Sequence, residues 1–141
     1  LLNKILEDEV SLGLDSTLAF DDFKIRVEQS RSALLSFLIE AKISGKKVCA
    51  LGASTKGNVL LQYFGITSDL ILSIGEVNPD KFGAFTPGTL IPIISQEEVI
   101  NTKPDYLVVL PWHFRSFFES MPTLKGSKLV FPLPEFQIVR V

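Results

Sequence analysis

Cysteine is almost absent from this sequence. Cys49 is the single thiol among 141 residues and lies in an apolar run. A disulfide within the chain is therefore excluded, and a structural zinc site is not expected. Histidine is equally scarce, with His113 alone. The composition thus argues against a disulfide scaffold, and we assign no metal-ligating residue.

Long apolar runs and an excess of one charge are also missing. No apolar stretch reaches the roughly 20 residues that span a bilayer, and no signal peptide is visible. The formal net charge is -2, which argues against polyanions as partners. We therefore expect no membrane and no nucleic acid among the partners, and we expect a cytoplasmic location.

What is present favours one folded domain with a real core. Hydrophobic residues make up 46% of the chain, and this content argues against a disordered chain. The chain starts at Leu1 and enters helical sequence at once. We therefore expect a piece of a longer protein, with residues 1–20 as a helical lead-in from a missing upstream domain and residues 21–141 as the domain itself.

Alternating helical and apolar segments predict an α/β fold. We expect a Rossmann-like, open and mostly parallel sheet of about five or six strands, with helices on both faces and a long helix in front. A short helix is expected over residues 1–10, and the long helix over residues 21–44. The expected strands are residues 47–51, 70–74, 91–94, 106–110 and 129–131, with a final edge strand at 136–141.

A glycine-bearing turn joins the first predicted strand to the next helix. Residues 52–57 read Gly-Ala-Ser-Thr-Lys-Gly and match the dinucleotide pattern G-x-G-x-x-G except that Ser54 replaces the second glycine. Lys56 precedes Gly57, so this is not a Walker A loop. The free N–H groups and the dipole of a helix N-terminus favour phosphate there. The alternative is an ordinary turn in which Lys56 is solvated.

Glu76 follows the second predicted strand, 19 residues after Gly57. In nucleotide-binding βαβ units, an acidic residue near this position contacts a ribose hydroxyl. The alternative is a loop carboxylate without a ligand. A loop rich in proline and glycine follows over residues 78–92, and ordered loops of this kind often carry binding residues.

Trp112, His113 and Arg115 follow the clearest predicted strand, on the same rim as Gly52. Trp112 is a candidate for stacking on a base or sugar, although it also suits the core. His113 is more readily a ligand-contacting or structural residue than a general base. Arg115 is a phosphate candidate because its guanidinium matches phosphate oxygens, and the alternative is a surface pair with Glu119.

Four segments in this order resemble the C-terminal domain of SAM-dependent sugar C-methyltransferases. They are Gly-Ala-Ser-Thr-Lys-Gly-Asn-Val-Leu-Leu at 52–61, Glu-Val-Asn-Pro-Asp-Lys-Phe-Gly at 76–83, Thr-Pro-Gly-Thr-Leu-Ile-Pro-Ile at 86–93 and Leu-Pro-Trp-His-Phe-Arg at 110–115. Members of this family methylate a carbon of a keto-deoxysugar attached to a nucleoside diphosphate. The resemblance implies a zinc-binding N-terminal domain, a middle domain that binds SAM and carries the catalytic residues, and a Rossmann-like C-terminal domain.

This chain is similar to the third domain only. The resemblance therefore implies that it helps to hold a nucleotide sugar of the dTDP type, binds no cofactor itself, and works with the missing SAM and zinc domains of the same polypeptide. It also implies no catalytic residue here and no methyltransferase activity of the fragment alone. The substrate-binding residues that it implies are Gly52, Ser54, Thr55, Lys56, Gly57, Asn58, Glu76, Asn78, Lys81, Trp112, His113 and Arg115.

The sequence departs from the family pattern at two of these positions. Glu76 stands where aspartate is commoner, and His113 stands where asparagine is often found, which argues against His113 as an indispensable base. Two other functions stay open. One is a non-catalytic Rossmann-like module for another phosphate ligand, such as CoA or a nicotinamide nucleotide. The other is an interaction domain whose cleft no longer binds.

Overall fold

A computed structural model describes all 141 residues as five α-helices and six β-strands. The helices are α1 (Leu2–Ser11), α2 (Leu18–Ile43), α3 (Thr55–Phe64), α4 (Gln96–Asn101) and α5 (Arg115–Glu119). The strands are β1 (Val48–Leu51), β2 (Ile74–Glu76), β3 (Ile93–Ser95), β4 (Tyr106–Val109), β5 (Lys128–Phe131) and β6 (Gln137–Arg140). None of the helices combines the length and the apolarity required to cross a membrane.

The six strands form one sheet in the order β3-β2-β1-β4-β5-β6. The first five run parallel, and β6 pairs antiparallel with β5 at the edge. The predicted Rossmann-like, mostly parallel sheet is therefore confirmed. The chain moves outward from β1 to β3 and then returns to place β4 on the other side of β1. The loops after β1 and β4 thus meet at a topological switch point, where open α/β sheets bind ligands.

Successive residues of each central strand point to opposite faces of the sheet. In β1, Val48 and Ala50 join the core under α2 and α3, whereas Cys49 and Leu51 join the core under α4 and α5. The sheet is therefore covered by helices on both faces, as predicted, and this explains why its strands read as continuous apolar runs.

Helix α2 begins at Leu18, three residues before the predicted start at Asp21. Asp21 lies in its first turn, where a carboxylate is favourable, and Thr17 occupies the cap. The buried residues of α2 are Leu34, Leu38 and Ala41, all in its second half. The first half of α2 therefore contributes no buried residue, although Val27 packs against the edge of the core. The predicted short helix at the N-terminus is confirmed as α1, which buries no residue.

The predicted second and third strands are displaced towards the C-terminus. A turn closed by Leu70 and Ile71 onto the Thr67 carbonyl occupies the start of the predicted 70–74 strand, so β2 begins at Ile74. Leu90 has a left-handed backbone with φ of 53°, which delays the third strand until Ile93. Local turns thus overrule the apolar pattern at both strand starts.

Candidate functional site

The turn after β1 packs directly against the turn after β4. Gly52 has φ of 79°, and a Cβ atom there would lie 2.7 Å from the ring of Pro111. A Cβ atom at Gly57 would lie 2.6 Å from Cβ of Leu110. Glycine is therefore required at Gly52 by backbone and contact, and at Gly57 by the approach of α3 to the end of β4. The start of α3 therefore lies in close contact with the end of β4 at Gly57.

Ser54 caps α3. Its backbone is extended, and its Oγ accepts a hydrogen bond of 3.1 Å from the Gly57 N–H. The next two backbone N–H groups, those of Thr55 and Lys56, have no acceptor within the chain. The N-terminus of α3 therefore offers two free donors and the positive end of the helix dipole.

Glu76, the last residue of β2, braces this turn. Its Oε2 accepts hydrogen bonds from the Ala53 N–H at 3.0 Å and from Lys81 Nζ at 3.1 Å. Its Oε1 accepts from the N–H groups of Val77 at 2.7 Å and Asn78 at 3.1 Å. A carboxylate has about four acceptor positions, and four donors fill them. Glu76 therefore holds the turn after β1 to the loop after β2.

The charge on Glu76 is stabilised although its side chain is buried. Burial by itself raises the pKa of this carboxyl, but the hydrogen bonds from Asn78, Val77 and Lys81 outweigh it and hold the pKa below the ordinary value. Lys81 completes the brace, since its Nζ also donates to the Ala53 carbonyl at 3.0 Å. An ammonium has three hydrogens, so one remains for another acceptor.

A pocket of about 370 Å³ opens on one side of the N-terminus of α3. We call it the polar pocket. Core side chains form its floor, and the 77–87 loop forms its outer wall, which is held by a 2.8 Å hydrogen bond from Gln62 to the Pro87 carbonyl. Its rim residues are Ala53, Ser54, Thr55, Asn58, Lys81, Thr86 and Pro87. Asn58 belongs to this rim, and its Oδ1 is buried without a hydrogen-bond partner in the chain.

A larger depression of about 820 Å³ opens on the other side of α3. We call it the apolar groove. It lies between α3, the first half of α2 and the segment 133–135, and Lys56 and Trp112 are among its walls. Its residues are Phe23, Lys24, Arg26, Val27, Ser30, Lys56, Val59, Leu60, Tyr63, Phe64, Trp112, Leu133, Pro134 and Glu135.

Helical periodicity divides the predicted binding motif between these two sites. Residues three or four apart share a helix face. Thr55 and Asn58 therefore face the polar pocket, and Lys56 and Val59 face the groove. The sequence prediction treated residues 52–58 as one contact set, whereas the structure separates them at the start of α3.

Six of the predicted residues line neither site, namely Gly52, Gly57, Glu76, Asn78, His113 and Arg115. Arg115 Nε donates to Glu119 at 2.7 Å, its Nη1 donates to Gln137 at 2.7 Å, and its guanidinium lies over the ring of Phe131. The surface pair with Glu119, the alternative stated for Arg115, is present. His113 is exposed and makes no hydrogen bond to a carboxylate; its ring centroid lies 4.3 Å from that of Phe114.

Asn78 has a local role, since its side chain accepts from the Asp80 N–H and caps the short turn Pro79–Lys81. Residue patterns missed the groove entirely, because its aromatic side chains read as core. They also missed Gln62, although its position seven residues after Thr55 places it on the pocket face of α3. No cluster of three or more His, Cys, Asp or Glu side chains could hold a metal ion.

The fold is Rossmann-like, and the turns described above meet at the switch point of its parallel sheet. Residues 1–134 match the family described as the C-methyltransferase C-terminal domain, and the chain belongs to that family.

A curated relative agrees with this assignment. The chain is 28% identical over 144 residues to C-methyltransferase NovU of Streptomyces niveus. The match covers 96% of this chain and 33% of NovU. The chain thus spans about a third of the length of that relative.

Proposed function

We propose that this domain holds a nucleotide sugar for a SAM-dependent C-methyltransferase, with SAM, zinc and the catalytic base supplied by other domains of a longer polypeptide. The observation that carries the proposal is the N-terminus of α3, where the free N–H groups of Thr55 and Lys56 lie beside the polar pocket. Membership of the C-methyltransferase family supplies the reaction class.

The polar pocket has the mixture of donors and acceptors that a phosphorylated sugar requires. A diphosphate would accept from the free N–H groups at the N-terminus of α3 and from the third hydrogen of Lys81. The amide of Asn58 lines the pocket, and a rotation of this side chain would turn its unpartnered Oδ1 towards a sugar hydroxyl. Because sugars carry both donors and acceptors, they suit this pocket better than an anion alone.

Glu76 takes a different part from the one first expected. Its four acceptor positions are already used by the chain, so contact with a ribose hydroxyl would require displacing one donor. In our proposal Glu76 and Lys81 fix the shape of the pocket. The chemical contribution of the domain is then orientation, since holding the sugar carbon in line with a methyl donor lowers the barrier through proximity.

Calorimetric titration with a dTDP-sugar tests this proposal. We expect saturable binding that Asn58→Ala weakens about tenfold, the effect of roughly 1.4 kcal/mol. The matched control is Asn101→Ala at the exposed end of α4, which should bind as the unaltered chain does. Tighter binding of CoA or NAD than of the dTDP-sugar would favour the alternative phosphate-ligand module, and no binding of any of them would contradict both.

A further inference from the structure

We propose that the apolar groove receives the aromatic base of the nucleotide, while the diphosphate lies at the N-terminus of α3 and the sugar in the polar pocket. This inference rests on the proposed function and extends it to a second site. The ligand class is a nucleoside diphosphate whose base leaves the polar pocket and crosses α3 on the side of Lys56.

The groove exists because α2 extends beyond the core that its second half packs against. The first half of α2 has no buried residue. It meets the rest of the domain through Val27, which packs against the core, and through Glu28, which accepts a hydrogen bond from the Tyr63 hydroxyl of α3. Large side chains consequently stay open to solvent on both walls, with Phe23 59%, Tyr63 54% and Val59 62% exposed. Clustered apolar exposure of this kind marks a binding site, and the volume of about 820 Å³ lies in the range of small-molecule sites.

Aromatic side chains give the groove surfaces for stacking. Trp112 is half-buried and packs against both cores, so its ring is held firmly. Phe23 and Tyr63 add two exposed rings on α2 and α3. Stacking of a base on an aromatic side chain contributes about 1–3 kcal/mol.

The charge of the groove favours an anionic ligand. Lys24, Arg26 and Lys56 line it, and neither Arg26 nor Lys56 makes an ion pair within the chain. Glu135 is the single carboxylate of the lining. Glu28 lies nearby but already accepts from the Tyr63 hydroxyl at 2.9 Å and from Arg31 at 3.3 Å.

Lys56 connects the groove with the phosphate position. Its backbone N–H is one of the two free donors at the start of α3, while its side chain lines the groove. A ligand that places phosphate on these donors therefore has the groove directly beside it. A polypeptide segment on the groove would use the apolar walls, but the three cations of the lining favour an anionic occupant, so the nucleotide is the better occupant.

Cysteine protection tests this placement in the 141-residue chain. Cys49 is 2% exposed, so an introduced surface cysteine will dominate reaction with a small maleimide. Val59→Cys reports on the groove and Thr55→Cys on the polar pocket. Ile43→Cys, at an 81% exposed position at the end of α2, is the control.

We expect dTDP to slow labelling of Val59→Cys and Thr55→Cys at least fivefold and to leave Ile43→Cys unchanged. Pyrophosphate, which lacks a base, should protect Thr55→Cys alone. Protection of Thr55→Cys but not Val59→Cys by dTDP would overturn the groove assignment and leave the proposed function standing. Protection of neither position would contradict both proposals.

Two further outcomes would also overturn the assignment. Equal protection of Val59→Cys by pyrophosphate and dTDP would mean that an anion, and not the base, occupies the groove. Slow labelling of Val59→Cys without nucleotide, at a rate that falls as protein concentration rises, would mean that a second copy covers the groove.

Discussion

The polar pocket and the apolar groove lie on two faces of α3, yet their walls are built differently. The pocket is shaped by hydrogen bonds within the chain. The Ala53 N–H donates to Glu76, Lys81 donates to the Ala53 carbonyl, and Gln62 donates to the Pro87 carbonyl. In the groove a single side-chain hydrogen bond, from Tyr63 of α3 to Glu28, joins the two helices, and several wall side chains are largely exposed.

This difference predicts how each site responds to mutation. Residues on the pocket side take part in holding the fold, so changing them alters stability and ligand binding together. Exposed groove residues such as Val59 make none of the hydrogen bonds that shape the pocket, and changing them should alter binding while leaving the free energy of unfolding within about 0.5 kcal/mol. Three substitutions on the pocket side test this difference, and the expected loss of stability decreases from the first to the third.

The largest effect is expected from Gly57→Val, which forces α3 away from β4. A Cβ atom alone would lie 2.6 Å from Leu110 and 3.0 Å from Ser54 Oγ, so the free energy of unfolding should fall by about 3 kcal/mol. Urea denaturation followed by circular dichroism measures this. Val59→Ala, two residues along α3, is the control and should unfold at nearly the same urea concentration as the unaltered chain. An unchanged midpoint for Gly57→Val would refute the close packing.

An intermediate and pH-dependent effect is expected from Glu76→Gln. The amide removes the charge and one acceptor group from the brace, so the free energy of unfolding at pH 7 should fall by about 1–3 kcal/mol. The pKa of Glu76 is lowered in the folded chain from the ordinary value of 4.5. The carboxylate therefore stabilises the fold above that value, and this stabilisation is lost as the pH falls through the lowered pKa.

Urea unfolding of both proteins at pH 7 and pH 3 checks the sign. The gap between the unaltered chain and Glu76→Gln should narrow at pH 3. Glu28, Glu98 and Asp105 also have lowered pKa values, and they are present in both proteins, so the difference isolates Glu76. A gap that widens on acidification would contradict the brace.

The smallest effect is expected from Ser54→Ala, which removes the cap of α3. Loss of the bond to the Gly57 N–H should lower the free energy of unfolding by about 1 kcal/mol, and Ser54→Gly by only a few tenths. Thermal denaturation of the two variants gives the comparison. If both variants unfold at the same temperature as the unaltered chain, the cap contributes nothing to stability. The pocket side would then tolerate substitution as the groove side does.

Several features could be predicted from residue patterns because they depend on local chemistry. Apolar runs marked β1 and β4, and a glycine marked the turn at Gly52, which has a left-handed backbone. The start of β2 could not be placed, because the turn at Thr67 and the pairing with β1 compete for the same apolar residues. Apolar residues at this point of the chain can be buried without belonging to the strand.

The sequence predicted residues 52–58 to be one binding turn, and its role in binding stays a prediction. The division of these residues between two cavities could not be predicted, because it depends on where α3 begins, and its first residue is Thr55. Arg115 illustrates the opposite case. Its charge suited phosphate, but the sheet places Gln137 and Phe131 beside it, and both come from later strands.

The sequence by itself determined the class of fold and the residue types at the rim of the sheet, since strand periodicity, glycine turns and capping residues act over a few positions. The tertiary structure decided which partners those residues meet. Glu76 became a brace because the sheet brings Ala53 within hydrogen-bond reach, 23 positions earlier in the chain. The groove arose because α2 extends past the core that anchors its second half. Such long-range contacts depend on packing between elements, which no local pattern records.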